Sequence, residues 1–138
     1  MTINRKTASL FSLRISIFLV MFMWTIDKLI NPAHATNVYQ KFYGITLGGN
    51  AGDMLLTVLA VAELLLLAGF LLGVKRRITY GAVLILHGVS TLSSWQQYAN
   101  PFEGPNLLFF AAWPMLAACF VLYLYRDEDQ LLTIAKLR

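Results

Sequence analysis

One cysteine, two histidines and charge on only 13% of residues leave little material for catalytic chemistry in a chain of 138 residues. A lone Cys119 excludes an intramolecular disulfide and any paired-cysteine redox motif, and inside an apolar run it reads as a small packing residue. His34 and His87 are too few and too far apart for a bis-histidine haem. The chain has no His-x-x-x-His or carboxylate–histidine metal spacing, no phosphate loop and no G-x-S-x-G elbow, so no metal site is expected. Repeats and low-complexity tracts are missing as well. The basic residues form no stripe, so the net charge of +4 carries no implication of nucleic acid.

What fills the chain is apolar: 58% hydrophobic residues and a mean hydropathy of +0.63, too much for a domain with an ordinary wet surface. Four long runs carry it, at about 9–29, 54–74, 78–98 and 105–125, and each passes the ~18 residues that mark a spanning helix. The expected fold is all-α: a single-domain polytopic membrane protein built as a four-transmembrane-helix bundle. Arg5 and Lys6, an apolar stretch and Ala33-His34-Ala35 imitate a cleaved secretory signal. Arg14 inside the stretch and Asp27-Lys28 after it argue for a retained span.

Charge sets the expected orientation. Arg5, Lys6, Arg14, Lys75, Arg76, Arg77, Arg126, Lys136 and Arg138 fall on one side of such a bundle, against Lys28 and Lys41 on the other. Nine against two places both termini in the cytoplasm. Arg14, near the end of its span, reads as an anchor that snorkels. Between the first two runs, Asn31-Pro32 forms an N-cap and first-turn pair and Gly44 a C-terminal stop. Ala35, Val38, Tyr39, Phe42 and Tyr43 share one face. This predicts a short outer helix over 32–43, lying in the membrane interface or packed as a lid on the bundle. Gly48–Gly52 is expected to be a flexible connection, and Pro114 to kink the last span.

Glu63 stands alone in the otherwise uncharged run from Met54 to Val74, and a carboxylate at such depth costs roughly 2.5 kcal/mol or more unless it has a partner. In the third run His87, Ser90, Thr91, Ser94 and Gln97 fall on one helical face, which lipid cannot satisfy. That face is either hydrogen-bonding adhesion between helices or the wall of a hydrated ligand pocket bounded by Thr25 and Glu63. Glu63 lies 12 residues from Lys75 and His87 lies 10 from Arg77. At ~1.5 Å per residue both are about 15–18 Å from the turn, so Glu63 and His87 can meet across the hairpin; the alternative is a Glu63 that bonds only a neighbouring backbone or hydroxyl group. Arg14, Met21, Thr25 and Lys28 share a face of the first span. Gly69 and Gly73 permit close helix approach on another face of the second.

Arg14 followed by Phe22-Met23-Trp24-Thr25-Ile26-Asp27-Lys28-Leu29 resembles the opening of the DoxX-like family, with Thr25 where that pattern has glycine. Ala62-Glu63-Leu64 with Leu66-Leu67-Ala68-Gly69-Phe70-Leu71-Leu72-Gly73 is similar to the family's second-span E-L-x-x-G-x-x-L-x-x-G pattern, again with a Leu or Ala where glycine is common, and Phe109-Phe110 is a weaker match. The resemblance implies a four-helix protein of the bacterial inner membrane and carries over Arg14, Lys28 and Glu63 as its polar positions. It also implies association with oxidoreductases, hence an accessory or quinone-interacting subunit; the ligand stays open, with a quinone as one candidate and a membrane or periplasmic redox protein as the candidate partner beside the lipid bilayer. A non-enzymatic assembly protein for another membrane complex is the alternative.

Overall fold

The computed structural model describes residues 4–134, and among them every regular element is helical. Helix α1 (Arg5–Ile30) opens on a capping box in which the Asn4 side chain accepts from the Thr7 amide and the Thr7 hydroxyl accepts from the Asn4 amide. Its buried residues, Leu10, Arg14, Ile17, Met21 and Thr25, recur every three or four positions and form one inward stripe. Helix α2 (Pro32–Tyr43) has Pro32 in its first turn and ends at Gly44, whose φ of 66° is left-handed. Asn31 occupies the N-cap position as expected, yet its side chain makes no capping bond.

Helix α3 (Gly49–Leu72) begins inside the glycine-rich stretch that was expected to be a flexible connection. A Cβ on Gly52 would stand 3.0 Å from the Leu47 backbone, so this glycine serves close approach of the incoming chain. After Gly73 (φ 67°) a tight turn leads into α4 (Arg76–Ser93). The single helix expected over 78–98 is broken: α4 stops at Ser93, and α5 (Trp95–Ala99) follows Ser94. Thr91, Ser93 and Ser94 turn their hydroxyls back onto the carbonyls of His87 and Ser90, competing with the amides that would continue the ladder. A 3-10 segment (Asn106–Ala111) then feeds α6 (Ala112–Leu124). Pro114 lies inside the continuous Asn106–Leu124 stretch, two residues after 3-10 geometry gives way to α at Ala112.

Three helical stretches are long and apolar enough to cross a membrane: Arg5–Ile30, Gly49–Leu72 and Asn106–Leu124. The protein is thus all-α with three candidate spans. Helix α4 runs 18 residues, about 27 Å, but carries Arg76, Arg77 and His87 within that length. Helix α1 packs on α3 and α6, and α4 packs on the same two, so the long helices close around a common interior. Leu10, Ile17, Met21, Leu67, Phe70, Tyr80, Val83, Cys119 and Leu122 fill one part of it, and Ala35, Leu47 and Leu56 form a smaller cluster under α2. Leu19, Met23, Leu65, Ile78, Ile85 and Phe120 point outward, the distribution expected of a surface facing hydrocarbon.

The two ends differ. At the basic end, the segment following α6 folds back onto the helices: Ile134 N–H donates to Leu72 O at 2.9 Å, Lys6 pairs with Glu128, and Arg76 donates to Arg126 O and Thr133. At the other, capped end, α2 lies across α1 and α3, and Phe42 stacks on Phe109 with ring centres 5.7 Å apart.

Candidate functional site

The polar residues singled out from the sequence gather in the half of the molecule nearer α2, and they pair differently from expectation. Glu63 and His87 do not pair. Glu63 Oε2 accepts from Lys28 Nζ at 2.6 Å and lies 3.0 Å from the Thr25 hydroxyl, all of these partners being on α1. The reason is helix order: Glu63 is on the α3 face turned toward α1, whereas α4 meets α3 on the face of Gly69, whose missing Cβ would stand 3.1 Å from Thr79. Equal depth along a hairpin does not give equal azimuth.

The Lys28 and Glu63 side chains are 17% and 19% exposed, so most of their hydration has been replaced by each other. The Thr25 hydroxyl also reaches Met21 O at 2.8 Å, so one proton serves two acceptors. Lys28 spends one of its three N–H donors on Glu63. Above the pair, Tyr39 of α2 has its phenol pKa raised, first by burial and then by the charge of Glu63 and by Tyr43. Asp27 meets His34 at 2.6 Å and fastens the start of α2 to the end of α1. Helix α2 is thus packed as a lid, through Ala35, Tyr39, Leu47 and Leu56, with its other face exposed.

His87, 1% exposed, bonds across to α6. Its Nε2 lies 3.1 Å from Ala112 O, which can only accept, so Nε2 carries a proton; when the ring is neutral Nδ1 is an acceptor. Among the described residues Nδ1 has no partner, and neither has Gln97 Oε1. Thr91 and Ser94 are buried and Ser90 is half-buried, so the stripe expected on this helix faces inward even though the helix breaks within it. The structure therefore brings Thr25, Lys28 and Glu63 together on α1 and α3, and places His87, Ser90, Thr91, Ser94 and Gln97 along α4 and α5. The ring of Trp24, next to Thr25 on α1, lies 6.3 Å from that of His87. Two surface grooves of about 270 and 300 Å³ lie at the basic end, and neither reaches this layer.

The third polar position, Arg14, does not snorkel. It is fully buried, donating to Asp129 Oδ2 at 3.0 Å, to Tyr80 Oη at 3.3 Å and to Leu131 O. Asp129 is fully buried too and also accepts from Tyr80 at 2.8 Å. The signal for this was present in the sequence: Arg14 lies on the same helical face as Met21 and Thr25, and a residue on the inward face cannot also reach the interface. Compared with protein-family models, curated proteins and solved structures, the chain gives no match.

Proposed function

We propose that this chain is a four-span protein of the bacterial inner membrane, both termini cytoplasmic, acting as an accessory, quinone-interacting subunit of a membrane oxidoreductase system in the manner of the DoxX-like family it resembles. The observation that carries the reading is the unspent hydrogen-bonding capacity of the polar layer. Lys28 has two N–H donors beyond the one given to Glu63, suited to a quinone carbonyl, and His87 Nδ1 is a buried acceptor suited to a quinol hydroxyl. Thr25, Ser94 and Gln97 extend the polar lining, and Tyr39 of α2, with its ring against Tyr43, lies close enough to Glu63 to feel its charge. The outward apolar stripe of α4 supports a fourth span, and the basic residues gathered at one end support the orientation.

The test is the organic extract of protein purified in mild detergent, read by mass spectrometry, with re-binding of added quinone in nanodiscs. A quinone near one per chain, lost in Lys28→Met with the fold intact, is the expected result. Wild-type protein that neither retains nor re-binds quinone would overturn the reading. The mutual satisfaction of Glu63, Thr25 and Lys28 favours the second reading, an assembly protein whose polar layer only holds helices together. In that case a ligand-free chain would co-purify with a membrane or periplasmic partner protein.

A further inference from the structure

The turn between α3 and α4 has more positive charge than orientation requires, and that charge is left without an internal counterion. Lys75, Arg76 and Arg77 line a groove of about 270 Å³ together with Ile78 and Asp127. Arg76 is 5% exposed, and its donors go to Gly73 O, Arg126 O and the Thr133 hydroxyl, all of them neutral. Among the described residues, no carboxylate lies within 4.0 Å of its guanidinium. The Gly73 and Arg126 carbonyls, at or just past the ends of α3 and α6, supply only the partial negative charge of helix C-termini, so no full counter-charge meets the guanidinium. Asp127 does not supply the missing charge: its side chain is 85% exposed and its nearest cation is Arg126, at 4.0 Å.

Three further features point the same way. The first turn of α4 contains no acidic residue and no side-chain cap, so the positive end of the helix dipole opens into the same groove. Lys75 and Arg77 are exposed and free to close on a guest. From the groove, Ile78, Ile85 and Leu92, each about two-thirds exposed and seven residues apart, run down the outer face of α4 as a continuous apolar track.

The geometry points to a binding site for the phosphodiester head group of an anionic phospholipid, with Arg76 as the fixed cation, Lys75 and Arg77 closing over the phosphate, and an acyl chain lying along Ile78, Ile85 and Leu92. A free phosphate shares the head-group chemistry but makes no use of the apolar track, which is why the lipid is the source assigned. Basic pockets beside membrane helices recognise anionic head groups by this combination of fixed charge and adjacent hydrocarbon.

The test uses the full chain in mild detergent, offered phosphatidylglycerol and phosphatidylcholine at equal concentration and read by native mass spectrometry. Wild type is expected to retain phosphatidylglycerol about tenfold over phosphatidylcholine. In Lys75→Gln/Arg77→Gln the ratio should fall close to one while the thermal melt stays unchanged, since both side chains are exposed. Lys41→Gln, at the other end of the molecule, should keep the wild-type ratio. Equal retention of both lipids by wild type, or an undiminished preference in the double variant, overturns the site. Inorganic phosphate at millimolar concentration is expected to leave the lipid in place; if it displaces the lipid completely, the groove is a phosphate site and the lipid assignment fails.

Discussion

Replacing Asp129 by asparagine removes one charge from a place where neither charge can reach water. Arg14 and Asp129 are both fully buried, with 3.0 Å between Nη1 and Oδ2. At that separation the attraction is about 5 kcal/mol for an effective dielectric of ~20, and it offsets the several kcal/mol needed to dehydrate each ion. The amide of the variant would keep the shape and remove the attraction, leaving the guanidinium dehydrated against a neutral group. The expected loss is about 3–5 kcal/mol. For a chain of this size that corresponds to a fall of about 10 °C or more in the thermal midpoint, followed in detergent by tryptophan fluorescence. Arg14→Met/Asp129→Leu, which removes both charges and fills the space, should recover most of the loss. An Asp129→Asn midpoint within about 2 °C of wild type would refute the reasoning, because it would mean that Arg14 has water or another anion and that the segment after α6 is not docked.

Gly73→Ala meets both a left-handed backbone (φ 67°) and Thr133 Cγ2 at 2.7 Å, whereas Gly44→Ala at φ 66° meets open space. The first should therefore cost about 1 kcal/mol more than the second by equilibrium denaturation, and equal costs would again argue against a docked C-terminal segment. Lys28→Met leaves Glu63 without its cation and is expected to destabilise the folded protein more than Lys28→Met/Glu63→Leu, which removes both charges; the reverse order in thermal melts would show the pair to be solvated. Because burial and the Glu63 charge raise the Tyr39 pKa above 10.0, the folded state holds that proton more tightly than the unfolded one. Its contribution to stability is present in full below pH ~10 and is lost as pH rises through the raised value, so Tyr39→Phe should flatten the alkaline limb of the stability profile. A cysteine at Asn50 should react with an impermeant thiol reagent from outside the cell and one at Arg77 should not; the opposite pattern would invert the orientation.

What was legible in the sequence is what depends on periodicity. The α1 stripe, the amphipathic α2 with its Pro32 start and Gly44 stop, and the inward face of His87, Thr91, Ser94 and Gln97 follow from 3.6-residue spacing and hold in three dimensions. Partner choice was not legible, because it depends on which neighbour each helix face meets. Glu63 and His87 lie at similar distances from the same turn, but one faces α1 and the other α6. The break at Ser94 was missed because an apolar run reads as one span, whatever its hydroxyls do to the backbone. Asp129 was missed because a cluster of charges after the last apolar run reads as solvated tail. Only the long-range return of that segment to Arg14 makes it part of the interior.

The two ion pairs also show why the capped end, and not the basic end, is the place to look for a guest inside the bundle. At the basic end the guanidinium of Arg14 is engaged by three acceptors drawn from α4 and the returning segment, and both members of the pair are sealed by the chain itself, although Arg14 Nε and Asp129 Oδ1 have no partner among the described residues. Opening that site means undocking residues that also hold Arg76 and the end of α3. Around Lys28 and Glu63 the arrangement is looser. The side chains are still partly exposed, the lid is a 12-residue helix resting on Ala35, Tyr39, Leu47 and Leu56, and its fastening to α1, Asp27–His34, lies at the surface. Exposed ion pairs contribute little, commonly under ~1 kcal/mol, so lifting α2 costs mainly the burial of that small cluster and the Phe42–Phe109 contact. Local opening is cheapest where few apolar contacts must be given up, and in this molecule that is also where an ammonium with donors to spare is found.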